Sequence, residues 1–282
     1  MTTYKTGRVL AGAVLSTAFV MGSLFGPVSA EAAEVNVYSY RQPQLVQPLF
    51  DKFTEQTGIV VNTIFAKKGL IERMEAEGRN SPADVLLTTD ISRLTQAEEA
   101  GIAQSVSSKT INSNIPAAWR DPDGHWFALT MRARVVYASR DRVEQDSITY
   151  AELADPKWRG RLCTRSGQHD YSLGLIASVV VHEGEEAAEK WLEGVRDNLA
   201  HPTSGNDRAQ VKSIFSGECD IALGNTYYMG LMQTNTKNPE QQEWAKSVKI
   251  LFPDAENRGT HVNVSGMVMA ANAPHRDQAL AL

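Results

Sequence analysis

The most constraining feature of the sequence is a regular alternation of strand-like and helix-like segments between residues 34 and 101. The strand-like segments are apolar and rich in β-branched residues, and the helix-like segments carry apolar side chains at helical spacing. Gly58 and Asp90 stand where a helix is expected to end and to begin. This order predicts a parallel sheet covered by helices, which is an α/β fold. The predicted strands are 34–40, 59–65 and 83–89, and the predicted helices are 43–57, 69–78 and 90–101.

The second half of the chain alternates on a different schedule. Two extended segments, 127–131 and 133–139, are expected to meet near Arg132. The chain has 282 residues, which suggests two lobes, and without a low-complexity linker the lobes should be joined by extended crossings. The later predicted strands are 162–165, 219–223, 248–252 and 262–270, and the later predicted helices are 171–182, 185–195 and 206–215.

The first thirty residues have the layout of a secretory signal peptide. Lys5 and Arg8 precede an apolar run that ends in a small-residue cleavage pattern, with cleavage expected after Ala30 or Ala33. The alternative is a retained membrane anchor. No later run approaches about 18 apolar residues, so we expect a soluble exported protein located in the periplasm.

Composition excludes several classes of function. The chain is 42% hydrophobic and 22% charged, which is ordinary for a globular protein. A net charge of −5 carries no electrostatic footprint for nucleic acid. The sequence also lacks the serine hydrolase, zinc protease and paired-carboxylate motifs, which leaves an exported hydrolase unsupported. We therefore expect a protein that is not an enzyme. We also expect it to be a monomer.

The two cysteines, Cys163 and Cys219, lie in short strand-like stretches. Export makes a disulfide permissible, and the bridge would act as a structural staple. The alternative is a pair of buried thiols that never meet.

Three tyrosines occupy positions suited to a ligand. Tyr171 begins a helix after a polar loop, and Tyr227 and Tyr228 follow a strand at the start of the next helix. Side chains at the carboxyl ends of strands in an α/β sheet point into the crevice where ligands bind. Three phenolates would balance the charge of a hard trivalent cation such as ferric iron. The alternative is that the adjacent tyrosines are core or stacking groups.

Five segments of the chain resemble the ferric-iron-binding periplasmic proteins, the substrate-binding components of iron ABC importers. The resemblance covers essentially the whole chain after the leader, and GECDIAL followed by NTYY is its most specific part. The segments are YSYR at 38–41, ADVLLTTD at 83–90, LADPKWRGRLCTRS at 153–166, GECDIALGNTYY at 217–228 and NVSGMVMA at 263–270.

The resemblance implies the two-lobed type II periplasmic-binding-protein fold, in which each lobe is a mixed sheet flanked by helices and the ligand lies in the interlobe cleft. It implies Fe³⁺ held by Tyr171, Tyr227 and Tyr228 and delivered to an inner-membrane ABC permease, with carbonate as a candidate synergistic anion. We place lobe 1 at 31–131 plus 256–282 and lobe 2 at 132–255. The resemblance also suggests that lobe 1 is truncated at its C-terminus.

The chain departs from this family near the first strand. Relatives that use a His-Tyr pair there would place it at Gln42 and Pro43, neither of which supplies an imidazole or a phenolate. Arg41 and Arg132 are therefore candidates to hold the anion through charge-assisted hydrogen bonds, or else form hinge or surface salt bridges. Tyr40 is a fourth candidate metal ligand.

Asn225 and Thr226 are expected to orient the metal ligands through hydrogen bonds. The competing hypothesis is that the protein binds another small anion or organic solute. That solute would stack on Tyr227 and be clamped by Arg132.

Overall fold

The structure is a computed structural model that describes residues 33–282. The predicted leader, 1–30, lies outside these residues. Every helix between residues 33 and 282 is too short or too polar to span a bilayer. The first six elements follow the predicted order: β1 (Glu34–Ser39), α1 (Pro43–Thr57), β2 (Val60–Phe65), α2 (Leu70–Glu77), β3 (Val85–Leu87) and α3 (Ile91–Glu99).

Both helix boundary signals in this half are confirmed. Gly58 ends α1 in the left-handed conformation, with φ of 73°, which glycine adopts without steric cost. Asp90 caps α3, because its side chain accepts a hydrogen bond from the backbone N–H of Ser92.

The second half contains the predicted strands and helices, together with short helices at Lys109–Asn114 and Glu240–Lys246. The two extended segments predicted to meet near Arg132 form one continuous strand, Phe127–Ser139. The elements of the second half are α4 (Lys109–Asn114), β4 (Phe127–Ser139), β5 (Leu162–Cys163), α5 (Asp170–Glu183), α6 (Glu185–Asp197), α7 (Asp207–Phe215), β6 (Ile221–Asn225), α8 (Thr226–Gln233), α9 (Glu240–Lys246), β7 (Val248–Leu251), β8 (Val262–Met269) and α10 (Arg276–Ala281).

The strands pair in the order β2-β1-β3-β8-β4-β6-β5, and β7 pairs with β4. The predicted parallel pairing is confirmed for β1 with β2 and β3. Strand β8 instead runs antiparallel to both β3 and β4. The sheet is therefore mixed, because a strand from the end of the chain is inserted beside strands from its beginning.

Strand β4 belongs to two groups of strands. Up to Ala133 it pairs with β8, and from Arg134 onward it pairs with β6. Neighbouring side chains of a strand point to opposite faces, and accordingly Val135 and Tyr137 enter one apolar cluster while Val136 and Ala138 enter another. A further pair of clusters covers the two faces of the β1–β3 group. Each group of strands is thus buried between helices.

Candidate functional site

The structure brings the three predicted tyrosines together. The hydroxyl oxygens of Tyr171 and Tyr227 lie 3.1 Å apart. The rings of Tyr227 and Tyr228 lie 4.4 Å apart between centroids. Tyr171 is separated from Tyr227 by 56 residues in the sequence, so this convergence is a product of the tertiary fold. We call these three residues the tyrosine cluster.

Two helix beginnings position the tyrosine cluster. Helix α5 begins at Asp170, and the His169 side chain caps it by accepting the backbone N–H of Tyr171 at 3.2 Å. Strand β6 runs directly into α8, so that Tyr227 and Tyr228 lie in the first turn of that helix. Because the N-terminus of a helix carries partial positive charge, both positions favour an anionic side chain.

The hydroxyl of Tyr227 is held in its protonated form while no cation is near it. Burial raises the pKa of Tyr227 above its ordinary value of 10, and hydrogen bonding with Tyr171 and Tyr228 raises it further. Two phenolates at this separation would repel each other. Ionising the cluster therefore requires a strong positive charge between the hydroxyl oxygens.

A buried carboxylate contacts residues next to the tyrosine cluster. Asp207 is fully buried and accepts hydrogen bonds from Arg134 at 2.9 Å and from Arg165 at 3.0 Å. It also accepts the backbone N–H of Asn225 at 2.8 Å. The guanidinium of Arg165 lies 5.1 Å from the centre of the Tyr171 ring, within the range of a cation–π contact. Asp207 thereby connects the supports of Tyr171 to the strand end that leads to Tyr227.

The two predicted orienting residues both hold the start of α8. The Asn225 side-chain oxygen lies 3.3 Å from Arg134 Nη1 and accepts its hydrogen bond. The backbone oxygen of Asn225 accepts the hydroxyl of Tyr137. The Thr226 hydroxyl accepts the backbone N–H of Ala133 at 3.4 Å. These contacts orient the backbone that carries Tyr227 and Tyr228.

Arg132 lies beside the tyrosine cluster and is paired with a carboxylate. Its guanidinium donates to Asp90 at 2.6 Å and lies 5.3 Å from the centre of the Tyr171 ring. Asn263 donates to the same Asp90 oxygen at 3.1 Å. Asp90 also caps α3. Its contacts with Arg132 in β4 and Asn263 in β8 therefore connect the start of that helix to both strands.

Arg41 lies close enough to the cluster to be influenced by its charge. Its guanidinium donates a hydrogen bond to the Ser265 hydroxyl. Burial lowers the pKa of Arg41, and the nearby Arg132 lowers it further, while Tyr171 and Tyr227 act in the opposite direction. Two arginines from different parts of the chain therefore stand beside the tyrosines.

Tyr40 has a different environment. It is buried, and its hydroxyl accepts the backbone N–H groups of Leu70 and Ile71 at 3.0 and 3.1 Å. The guanidinium of Arg93 lies 4.1 Å from the centre of its ring. The hydroxyl is thus used at the beginning of α2. Its assignment as a metal ligand stays a prediction that these contacts do not favour.

Sequence reasoning missed several residues around the cluster. Arg134, Asp207 and His261 were not predicted as site residues. Arg165 was not predicted either, but it lies within the CTRS segment that carries part of the family resemblance. Burial lowers the pKa of His261 to about 4, and Arg132 and Arg134 contribute to the same effect. His261 is therefore neutral at neutral pH. A buried carboxylate between distant arginines leaves no pattern in the sequence.

The predicted disulfide is confirmed. Cys163 in β5 and Cys219 just before β6 are bonded, with their Cα atoms 6.0 Å apart. The bridge joins β5, which precedes the Tyr171 loop, to the segment just before β6, the strand that leads to Tyr227. It therefore constrains the two segments that carry the tyrosine cluster.

Comparison with known families identifies the class of protein. Residues 38–282 match the family model described as bacterial extracellular solute-binding protein. The chain belongs to this family, and its fold is the two-lobed α/β fold of periplasmic binding proteins of the ferric-binding type.

The individual relatives are more specific than the family model. Iron uptake protein A1 of Synechocystis is 47% identical, over 89% of this chain and 70% of the relative. Iron uptake protein A2 of the same organism is 43% identical, over 100% of this chain and 81% of the relative. The major ferric iron-binding protein of Neisseria meningitidis serogroup B is 30% identical, over 88% of this chain and 73% of the relative.

Solved structures support the same classification. A Bordetella ferric binding protein superposes with a TM-score of 0.83 at 46% identity, covering 88% of this chain and 78% of that one. The Trichodesmium protein IdiA (FutA), in complex with iron and citrate, gives a TM-score of 0.83 at 43% identity, covering 88% and 79%. The resemblance inferred from the sequence segments is confirmed.

Proposed function

We propose that this protein captures Fe³⁺ in the periplasm and delivers it to the permease of an inner-membrane ABC importer. The observation that carries the proposal is the tyrosine cluster, with the Tyr171 and Tyr227 hydroxyl oxygens 3.1 Å apart and Tyr228 packed against Tyr227. Relatives named as iron uptake and ferric iron-binding proteins support the same cargo.

The charge of the cargo follows from the ligands. Ionising one tyrosine of ordinary pKa at neutral pH costs about 4 kcal/mol, and burial raises the pKa of Tyr227 further. A trivalent cation offsets this cost for three residues together. Three phenolates neutralise Fe³⁺, whereas they would leave Ca²⁺ or Zn²⁺ with excess negative charge. We therefore assign Tyr171, Tyr227 and Tyr228 as the iron ligands.

The arginines beside the cluster suit a synergistic anion. Arg41 and Arg132 both stand close to Tyr171, and guanidinium groups bind carbonate through paired, charge-assisted hydrogen bonds. Arg132 is already paired with Asp90, so Arg41 is the more available donor. We assign carbonate to this position, with Asn225 and Thr226 orienting the iron ligands.

Lobe closure around the ion would account for capture and release. We assign lobe 1 to 31–131 plus 256–282 and lobe 2 to 132–255. The exchange of β4 partners between Ala133 and Arg134 supports the first boundary. The segment between β7 and β8 supports the second. Protonation of the phenolates would release iron, because metal affinity depends on ligand ionisation.

The cellular setting completes the proposal. A leader at 1–30, cleaved after Ala30 or Ala33, would export the chain to the periplasm. There it would act as a soluble monomer whose partner is the permease. Capture and delivery require no catalysis, so we do not assign an enzymatic activity.

Ferric citrate titration of the purified protein tests the cargo. A phenolate-to-iron charge-transfer band should appear in the visible range and saturate at one iron per chain. Tyr171→Phe removes one phenolate and should weaken ferric binding by at least about tenfold, since even residues outside the metal ligand shell contribute 10–100-fold. Acidification should bleach the band and release the metal.

Tyr38→Phe is the matched control for this experiment. The Tyr38 hydroxyl donates to Glu77 at 2.9 Å, next to α2 and outside the tyrosine cluster. This variant should bind iron like the wild type. An absent band, or a band that Tyr171→Phe leaves unchanged, would contradict the proposal.

A second candidate cargo is a small anion or an organic acid. The observation in its favour is the set of three arginines around Tyr171, namely Arg41, Arg132 and Arg165. This function predicts no colour with Fe³⁺ and no effect of Tyr171→Phe on metal binding. The same titration, repeated with citrate lacking iron, distinguishes the two cargoes.

A further inference from the structure

A group of three metal-ligating side chains lies apart from the tyrosine cluster. Nδ1 of His125 is 3.1 Å from Oδ2 of Asp121 and 3.5 Å from Oε1 of Glu98. The three ligand atoms all lie within 4.8 Å of one another. Two atoms that bind one cation at about 2.0–2.2 Å lie about 3.3–3.6 Å apart in a tetrahedral site, which is close to both distances from His125 Nδ1.

The backbone pre-organises two of these ligands. Asp121 and His125 belong to one tight turn, in which the Asp121 carboxylate accepts the His125 backbone N–H at 2.9 Å. Gly124 makes the turn possible with φ of 82°, and a Cβ at this position would stand 2.7 Å from the Val106 carbonyl oxygen. A site fixed by backbone geometry loses little entropy when it binds an ion.

The third ligand comes from a different element. Glu98 lies at the C-terminal end of α3. The side chain of Asp121 is 9% exposed, while those of His125 and Glu98 are 29% and 33% exposed. The group is therefore anchored on its buried side and open to water on the other.

We propose that Glu98, Asp121 and His125 form a second cation site, which takes a divalent transition metal of the zinc class. One imidazole nitrogen and two carboxylate oxygens are ligands that zinc accepts, and the exposed side leaves room for water as a fourth ligand. Two carboxylates also neutralise the charge of a divalent ion. The set has no phenolate, so it does not share the preference of the tyrosine cluster for a trivalent ion.

This site is spatially separate from the tyrosine cluster. His125 lies just before Phe127, the first residue of β4. Arg132, which lies beside the cluster, is five residues after Phe127 in the same strand. Five residues of extended strand span roughly 16 Å. A bound ion here would join the end of α3 to the turn before β4 and would stabilise that junction without contacting the cargo.

Zinc binding to the metal-stripped protein tests the proposal. Equilibrium dialysis should detect one Zn²⁺ per chain at micromolar concentration, and Co²⁺ should produce a visible absorption band as a spectroscopic probe. Zn²⁺ should also raise the thermal midpoint of the protein, because an ion that binds only the folded state stabilises it. His125→Ala should weaken binding by at least tenfold and abolish the thermal shift.

Three variants make the outcome decisive. Glu98→Gln keeps the size of the side chain at an exposed helix end and should weaken zinc binding without preventing folding. His182→Ala removes an exposed histidine that interacts within α5, and it should bind zinc like the wild type. Tyr171→Phe should also leave zinc binding unchanged.

Two results would overturn the proposal. The first is the absence of stoichiometric zinc at micromolar concentration, which would mean that His125 only contacts the two carboxylates and binds no ion with them. The second is zinc binding that Tyr171→Phe abolishes and His125→Ala does not affect, which would place the ion at the tyrosine cluster.

Discussion

At the scale of single residues, the tyrosine cluster is supported by a buried carboxylate that lies outside the cluster. Asp207 is fully buried between Arg134 and Arg165, whose side chains are 2% and 10% exposed. Removing one partner from a buried ionic network leaves the other charges uncompensated. The position of the tyrosine cluster therefore depends on a buried ion-pair network that does not include the tyrosine hydroxyl groups.

Asp207→Asn tests this dependence. The substitution preserves shape but removes the charge that balances the two arginines, and we expect a loss of about 3–5 kcal/mol in the free energy of unfolding. Urea denaturation measures this loss, and ferric titration should show weaker binding because the Arg165 and Asn225 positions are no longer fixed.

A surface aspartate provides the matched control. Asp197 pairs with Arg196 at 3.1 Å, and both side chains are more than half exposed. Asp197→Asn should change stability by less than about 1 kcal/mol. Equal effects of the two substitutions would show that the buried network is not important for stability.

At the scale of elements, the junction of β6 and α8 determines where two of the tyrosines lie. Gly224 faces the ring of Tyr137, and a Cβ at this position would lie only 2.0 Å from a ring carbon. Tyr137 is fully buried and donates to the Asn225 backbone oxygen. A glycine is therefore required for close packing of the strand that carries Tyr227.

Gly224→Ala should disturb this junction. The added methyl group forces the ring or the strand to move, and overpacking of this kind costs about 1–3 kcal/mol. The displacement should also move the start of α8 and weaken ferric binding. Denaturant unfolding and ferric titration measure the two effects on the same variant.

Gly230→Ala is the corresponding control in α8. A Cβ there meets nothing within 4 Å, and alanine is favoured over glycine inside a helix by about 1 kcal/mol. This variant should be equally or more stable than the wild type. Wild-type stability and binding in Gly224→Ala would rule out the packing argument.

At the scale of the whole molecule, residues 33–282 form two groups of strands that share β4 and are each covered by helices. All three tyrosines come from the segment assigned to lobe 2, whereas Arg41 and Asp90 come from the segment assigned to lobe 1. Iron bound to the tyrosines and an anion held by Arg41 would join the lobes. Such binding favours the closed form over the open one.

Small-angle X-ray scattering tests this closure. Adding ferric citrate to the metal-free protein should reduce the radius of gyration, and Tyr171→Phe should show a smaller reduction at the same iron concentration. A charge-transfer band that develops with no change in the radius of gyration would contradict closure and leave a site formed within one lobe.

Local signals in the sequence predicted much of this molecule. The strands and helices between residues 34 and 101, the Gly58 end of α1 and the Asp90 cap depend on near neighbours in the chain, and the structure confirms them. The family resemblance added the two-lobed fold, which local patterns could not supply. It also pointed to Tyr171 and the 227–228 pair, which the structure brings together.

Contacts between distant segments were decided by the tertiary structure alone. The insertion of β8 between β3 and β4, the Asp207 network and the meeting of Glu98 with His125 each join residues far apart in sequence. Hydrophobic periodicity and capping report the environment of a residue relative to its chain neighbours. They carry no information on which remote side chain will stand opposite, because that depends on the packing of the whole chain.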